Sequence, residues 1–271
     1  MGGINIKYII LGLFQGFTEP LPISSSGHIV LLKKIINIDV FYNNYLEIFL
    51  NFGSFLAILF FYRKKLRSIF NSFFHYLKYK DNNSYLNYKI FICVFIGTLP
   101  VCIVGILFKS IIESFFNNYF FLGIFFLITG LMLLIISFID GNKDFKDLNY
   151  FDCLIIGLFQ AIALLPGISR SGMTLVGCFL CRLNHKCSID YTFLLYFPVS
   201  LLCFIVSIKD IYNIGLLFNI NFFISMLCSF ISTLISYNFL VNIVQRGKLY
   251  IFSIYLFILS IFVFIFTLNI F

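Results

Sequence analysis

Residues 9–28 read IILGLFQGFTEPLPISSSGH, and residues 154–173 read LIIGLFQAIALLPGISRSGM. At a constant offset of 145, Ile10, Gly12, Leu13, Phe14, Gln15, Ser24, Ser26 and Gly27 meet Ile155, Gly157, Leu158, Phe159, Gln160, Ser169, Ser171 and Gly172. So many identities in so short a window mark an internal repeat. Each copy opens as an apolar run of membrane type, breaks at proline or glycine, and then presents serines. In hydrocarbon every backbone N–H and C=O must find a partner inside the protein, so broken backbone survives only where it is buried in protein or lines a wet cavity. Two such breaks predict a site.

The composition around them is that of a membrane protein. Hydrophobic residues make up 61% of the chain and charged residues 11%, with 39 phenylalanines and a mean hydropathy of +1.02. An ordinary soluble domain is about 25% charged, so the apolar surplus is too large for one water-facing core. No cleavable signal peptide is expected, because only Lys7 precedes the first apolar stretch and no small-residue cleavage site follows before Pro20. The formal charge of +8 reads as basic cytoplasmic loops rather than as a nucleic-acid surface, and no nucleic-acid partner is expected. The eight cysteines are scattered through apolar segments. Cys178 and Cys181 form a CxxC without a second pair, so they read as small buried residues and disulfides are not expected.

Crossing about 30 Å of hydrocarbon takes roughly 17–25 residues. Six runs meet or approach that length, at approximately 43–62, 88–108, 119–139, 191–208, 218–240 and 250–270. The repeated segments, about 5–36 and 152–182, each consist of two shorter apolar halves around a break and read as re-entrant helix–loop–helix hairpins. The predicted fold is an all-α polytopic membrane protein, a single integral membrane domain over 1–271. It comprises six transmembrane helices plus two re-entrant hairpins, in two repeats at about 5–139 and 152–270. Three spans follow the first hairpin and deliver the chain to the opposite face, so the second hairpin dips in from the other side. That is an inverted-topology repeat, with the two serine-bearing tips facing each other near the midplane.

Lysine and arginine set the orientation. Arg63, Lys64, Lys65, Arg67, Lys78, Lys80, Lys143, Lys146, Arg182, Lys186, Arg246 and Lys248 fall on one face, against Lys7, Lys33, Lys34, Lys109 and Lys209 on the other. The richer face is assigned to the cytoplasm, which leaves both termini and the mouth of the first hairpin extracytoplasmic.

Glu19 is the only acidic residue among the first 38 and lies in the apolar half of the first hairpin. An Asp at the centre of a membrane helix costs about 2.5–3.5 kcal/mol on insertion scales, which makes an intramembrane carboxylate a functional-site candidate. Gln15, four residues earlier, projects to the same face. Ser24, Ser25, Ser26, Gly27 and His28 follow Pro22 directly. One serine suffices to cap a helix, and three exceed that need. His28 either bonds a backbone carbonyl or partners a serine in proton transfer, while Gly27 allows close backbone approach to a ligand. In the second copy Arg170 replaces the central serine, between Ser169 and Ser171, with Gly167, Gly172 and Thr174 nearby. An arginine at membrane depth needs an anion. Either it locks Glu19 in an ion pair, or its planar fork takes phosphate oxygens at a helix start that favours the same charge. Together these residues predict a site for a phosphorylated, lipid-linked molecule. A divalent cation held by Glu19 with hydroxyl or amide oxygens would be Mg²⁺ or Ca²⁺ rather than zinc. No Walker-type loop is present, which argues against an ATP-driven pump.

QGFTEPLPISSSGH (15–28) and LPGISRSGMT (165–174) closely resemble the two signature motifs of the bacterial undecaprenyl pyrophosphate phosphatase family, also called bacitracin-resistance proteins. LEIFLNFGSFLAILFFYRKKL (46–66) resembles the family's first full span and the basic loop after it. The resemblance implies a multi-pass hydrolase of the bacterial inner (cytoplasmic) membrane, with its active site opening to the extracytoplasmic side. It would remove the terminal phosphate of undecaprenyl pyrophosphate, returning undecaprenyl phosphate to peptidoglycan synthesis, with bacitracin competing for the substrate. It places Gln15 and Glu19 on the family's (E/Q)xxxE positions, associated with metal and catalysis. Ser25 falls on the proposed nucleophile, His28 on an essential histidine and Arg170 on an essential phosphate-binding arginine. Ser24, Ser26, Gly27, Ser169, Ser171 and Thr174 would complete the phosphate site. Pro20, Asn51 and Gln15 depart from the commonest family residues. Inverted repeats with broken helices also build secondary transporters, so carriage or flipping of a polyprenyl phosphate or another anion is the alternative. A homodimer is one assembly the sequence leaves open.

Overall fold

In the computed structural model, residues 5–36, 43–115, 118–213 and 220–268 are described. They form α1 (Ile6–Thr18), α2 (Ser25–Ile36), α3 (Asn43–Tyr79), α4 (Asn82–Leu107), α5 (Lys109–Phe115) and α6 (Tyr119–Ile136) in the first half. The second half holds α7 (Tyr150–Ile162), α8 (Arg170–Leu180), α9 (His185–Asn213), α10 (Ile220–Gln245) and α11 (Tyr250–Leu268). Six of these helices carry stretches long and apolar enough to cross a membrane: Leu46–Tyr79, Asn82–Leu107, Tyr119–Ile136, His185–Ser207, Ile220–Gln245 and Tyr250–Leu268. The sequence-predicted positions 218–219 and 269–270, at the edges of two spans, lie outside the described residues.

α1 and α7 have 13 residues each, or ~20 Å at 1.5 Å per residue, short of the ~30 Å core. They are the outer arms of two helix–break–helix segments, α1–α2 and α7–α8. Much of their packing is preserved when the halves are exchanged. α1 lies on α10 as α7 lies on α4, α3 on α4 as α9 on α10, and α1 on α2 as α7 on α8, while α6 and α11 pack on each other. Each broken helix therefore leans on a span of the opposite half, and the two halves interlock. A partner pattern largely preserved on exchange is compatible with the inverted repeat, although α1–α3, α8–α9 and α6–α8 have no counterpart of the same extent among the described residues.

The α1–α10 contact shows how a broken helix is tolerated. The last carbonyls of a helix have no intrahelical donor, and here α10 supplies them. Thr233 and Ser236 donate to the Gly16 carbonyl at 2.9 and 3.0 Å, and Ser232 adds a bond at 2.7 Å to the Leu13 carbonyl, one turn earlier in the helix. Such contact needs backbones close together, as small-residue membrane interfaces allow. A Cβ on Gly16 would lie 2.1 Å from the Ser229 carbonyl oxygen.

α3 departs from the sequence reading. The basic stretch after residue 62, read as a loop, continues as helix to Tyr79, about 55 Å in all. No glycine or proline interrupts residues 54–96, and arginine, lysine and leucine are good helix formers. The extension is held by α4: Phe73 meets Phe91 at 4.1 Å between ring centroids and Tyr76 meets Tyr88 at 4.5 Å. Asp81 caps the start of α4 by accepting the Ser84 N–H at 3.2 Å.

Gly16→Ala should therefore force α1 off α10 and destabilise the protein by about 1–3 kcal/mol. Gly105→Ala, whose added methyl would meet nothing nearer than 3.6 Å, should be neutral or slightly stabilising. Thermal unfolding of the two variants in detergent separates these outcomes.

Candidate active site

α1 stops at Thr18 because Pro20 and Pro22 follow; proline offers no N–H to a continuing helix and its ring clashes with the preceding turn. The chain restarts as helix at Ser25 after Ser24, which holds φ 67°. That left-handed conformation is uncommon outside glycine, and two contacts secure it. The Ser24 hydroxyl accepts the Gly27 N–H at 3.3 Å, and the His28 ring bonds the Ser24 carbonyl through Nδ1 at 2.7 Å. The second break uses Pro166 and Gly167, the latter at φ 95°, and Ser169 caps α8 by accepting the Gly172 N–H at 3.1 Å. Thr129 of α6 donates to the Gly167 carbonyl at 3.5 Å.

The breaks touch. Ser171 donates to the Leu21 carbonyl at 3.0 Å. A Cβ on Gly27 would stand 3.0 Å from the Gly167 Cα, so Gly27 serves the close approach of the two tips.

Glu19 lies at this junction with its side chain 5% exposed. Its Oε2 accepts from Gln15 Nε2 at 2.9 Å and from the Ser25 hydroxyl. The same Gln15 nitrogen reaches Asn51 Oδ1 of α3 at 2.6 Å. Arg170, from the other half, approaches Glu19 Oε1 at 3.4 Å through one nitrogen and Ser200 Oγ of α9 at 3.2 Å through another. Its guanidinium carbon sits 5.0 Å from the centroid of the Tyr196 ring, within cation–π range. Nearly a third of the arginine side chain, 30%, remains open.

That opening is a cavity of about 170 Å³. Glu19, Ser24, Ser25, Ser26 and Asn51 line it from the first half, and Gln160, Ser169, Arg170, Ser171, Thr174, Thr192 and Tyr196 from the second. Ser169 and Ser171 are 3.2 Å apart through their hydroxyls, Ser24 and Ser26 3.4 Å, and Thr174 donates back to the Arg170 carbonyl at 2.8 Å. Val101, Ala163, Leu164 and Val199 form an apolar wall.

Of the sequence candidates, Glu19, Ser24, Ser25, Ser26, Ser169, Arg170, Ser171 and Thr174 thus converge on one space, with Gln15 bracing Glu19 from behind. His28 does not line it. Its ring is buried among Phe14, Phe126 and Tyr255, and Nε2 meets the Tyr255 hydroxyl at 2.6 Å. A carbonyl only accepts, so Nδ1 carries the proton toward Ser24, and in the neutral ring Nε2 accepts from Tyr255. Of the two readings of His28, the backbone-carbonyl contact is the one present.

Tyr196, Ser200, Thr192 and Tyr255 were not singled out from the sequence. Thr192, Tyr196 and Ser200 recur at every fourth residue of an apolar span, and that polar stripe on one helix face is the signal that was available. As to a cation, no group of three or more His, Cys, Asp or Glu side chains arranged for a metal occurs among the described residues. Glu19 is the lone carboxylate in the cavity, among amide and hydroxyl oxygens. That set suits a hard cation that arrives with phosphate oxygens, as Mg²⁺ does, rather than one held in an all-protein cage.

The comparison with known proteins agrees with this architecture. The family model described as "Bacitracin resistance protein BacA" matches residues 8–262. Undecaprenyl-diphosphatase 1 of Bacillus cereus is 38% identical over 252 residues, covering 92% of this chain and 93% of that protein. Undecaprenyl-diphosphatase 1 of Bacillus licheniformis is 37% identical over 257 residues, covering 94% and 95%. Undecaprenyl-diphosphatase of Thermosipho africanus is 41% identical over 196 residues, covering 72% and 75%. The chain, two interlocked halves whose broken helices meet at Glu19 and Arg170, belongs to the bacitracin resistance protein BacA family.

Proposed function

We propose that this membrane protein hydrolyses undecaprenyl diphosphate to undecaprenyl phosphate and inorganic phosphate, recycling the lipid carrier for envelope glycan synthesis. The observation that carries the reading is the convergence of a carboxylate-bound serine and a partly open arginine in one cavity between two broken helices. The family and its curated relatives support the same activity.

The diphosphate headgroup enters between the hairpin tips. Arg170 takes oxygens of the terminal phosphoryl group, where charge must be balanced during transfer. Ser25 attacks the terminal phosphorus and Glu19 takes the hydroxyl proton, the two already being hydrogen-bonded. The bond between phosphorus and the bridging oxygen breaks, and the prenyl monophosphate leaves with that oxygen. Glu19 passes its proton to that leaving oxygen and, ionised again, takes a proton from the water that attacks the serine phosphate, whose bond to the Ser25 oxygen breaks to release inorganic phosphate. Gln15 holds the carboxylate in line. His28 is a positioning residue: it fixes the Ser24 turn from which Ser25 projects. A divalent cation, Mg²⁺ or Ca²⁺, would be held by Glu19 with the oxygens of Gln15, Asn51 and the serines, and supplies further neutralisation of phosphate charge when bound. The distribution of basic residues supports a site opening to the extracytoplasmic side. Bacitracin would compete by sequestering the diphosphate lipid.

Purified protein with farnesyl diphosphate and Mg²⁺ should release inorganic phosphate; absence of release defeats the hydrolase reading. Arg170→Lys keeps the charge but loses the fork, and should lower kcat/KM roughly 10²–10³-fold with an unchanged unfolding midpoint. Glu19→Gln should abolish turnover and, by leaving Arg170 without its counter-charge, lower the unfolding midpoint. His28→Ala should lower turnover and the unfolding midpoint together, because it loosens the Ser24 turn. Loss of turnover in His28→Ala without loss of stability would return a direct chemical role to the histidine.

A further inference from the structure

The repeat offset of 145 extends into the spans behind the hairpins. Leu50 and Phe52 of α3 meet Leu195 and Phe197 of α9, and Asn51 between them meets Tyr196. In the first half Gln15 spends its amide on Glu19 and Asn51. Its counterpart Gln160 has Leu164 where the first half has Glu19, and Tyr196 where it has Asn51. The consequence is visible: Gln160 is 1% exposed, lines the cavity, and its Nε2 has no hydrogen-bond partner. The Tyr196 hydroxyl is likewise without a bond, although it lies near Glu19 and Ser200. The Thr192 hydroxyl makes none either and has the Cys178 thiol beside it.

A buried amide N–H left without a partner loses the hydrogen bonds it made to water and gains none in return. One amide with no partner at all, beside two hydroxyls with only marginal partners, facing one polar cavity is the mark of a ligand that satisfies them. The donors are neutral, so they suit phosphate oxygens whose charge is balanced elsewhere, by Arg170. Their location selects which phosphate. Gln160 precedes Ala161, which packs with Val101 and Val199 in the apolar cluster bordering the cavity. Beyond Val101 and Val199, Cys102 and Pro198 begin an apolar groove of about 630 Å³ between α3, α4 and α9. Gln160 is thus on the side where a prenyl chain would leave, Ser25, Glu19 and Arg170 lie at the hairpin tips, and Tyr196, its ring against Arg170, stands between the two.

We infer that Gln160 and Tyr196, with Thr192, bind the phosphoryl group that stays on the lipid, orienting the diphosphate so that its terminal phosphorus faces Ser25. The inference rests on the hydrolase reading for its substrate. It predicts that this subsite distinguishes a prenyl monophosphate from free phosphate.

The test is product inhibition of farnesyl diphosphate hydrolysis by farnesyl monophosphate and, separately, by orthophosphate. It uses the wild-type protein, Gln160→Met (equal in length, without a donor) and Tyr196→Phe. In both variants the inhibition constant of farnesyl monophosphate should rise about tenfold, a factor that corresponds to ~1.4 kcal/mol, while that of orthophosphate stays within twofold. An unchanged constant for farnesyl monophosphate, or an equal rise for both inhibitors, overturns the assignment. Unfolding midpoints confirm that the variants are folded; should Gln160→Met fail to fold, Tyr196→Phe carries the same comparison. If the wild-type protein releases no phosphate, the hydrolase reading fails separately, and calorimetric binding of farnesyl monophosphate to wild type and variants still decides the subsite.

Discussion

A carboxylate and a guanidinium 3.4 Å apart, carried on two separate breaks in membrane helices, is the constraint on which the rest of this structure depends. Neither charge is tolerable alone at that depth, and neither break is tolerable alone either, because each frees backbone groups that lipid cannot satisfy. The interlocked halves answer both demands. Hydroxyls of α10 take the carbonyls at the end of α1, Thr129 of α6 takes that of Gly167, and Ser171 takes that of Leu21. Donors for each break come largely from the opposite half. The site therefore exists only when both copies are folded together.

The two copies share a backbone plan but have divided the chemistry. The first retains three consecutive serines and an acid, so it carries the nucleophile and its base. The second exchanges the middle serine for Arg170 and the acid for Leu164, so it carries the cation and an apolar wall. Had both halves kept Glu19 and its serines, the cavity would hold two carboxylates and would repel a diphosphate. Had both kept the arginine, two like charges would meet in a low dielectric. The divergence of the repeat is what makes an anion site with a base in it.

Much of this was legible in the sequence because charge and broken helix are expensive in hydrocarbon and leave few explanations. Glu19 and Arg170 stood out for that reason, and so did the six spans. The direction of a side chain off an irregular turn is not written that way. Ser24 adopts a left-handed conformation that aims the His28 ring at Tyr255, 227 residues away and outside the cavity, and no local pattern announces it. Hydropathy falls at Arg63–Arg67 whereas helix propensity does not, so the end of α3 resembles a loop in the sequence and folds as helix. Tyr196 and Ser200 do not stand out, because a single tyrosine or serine in an apolar span carries no signal of its own. Only the four-residue spacing with Thr192 reveals a face.

The geometry of the ion pair bears on whether it locks the fold or serves a ligand. A structural lock between arginine and a buried carboxylate favours the bidentate arrangement, with both nitrogens at about 2.7–2.9 Å, since only good geometry repays the desolvation of two charges. Here one nitrogen reaches one carboxylate oxygen at 3.4 Å, the other nitrogen turns to Ser200, and Glu19 gives its second oxygen to Gln15 and Ser25. The arginine is close enough for its charge to be tolerated and loose enough to keep donors facing the cavity. A pair left so far from its own optimum fits a site whose electrostatics are completed by an anion between the two halves.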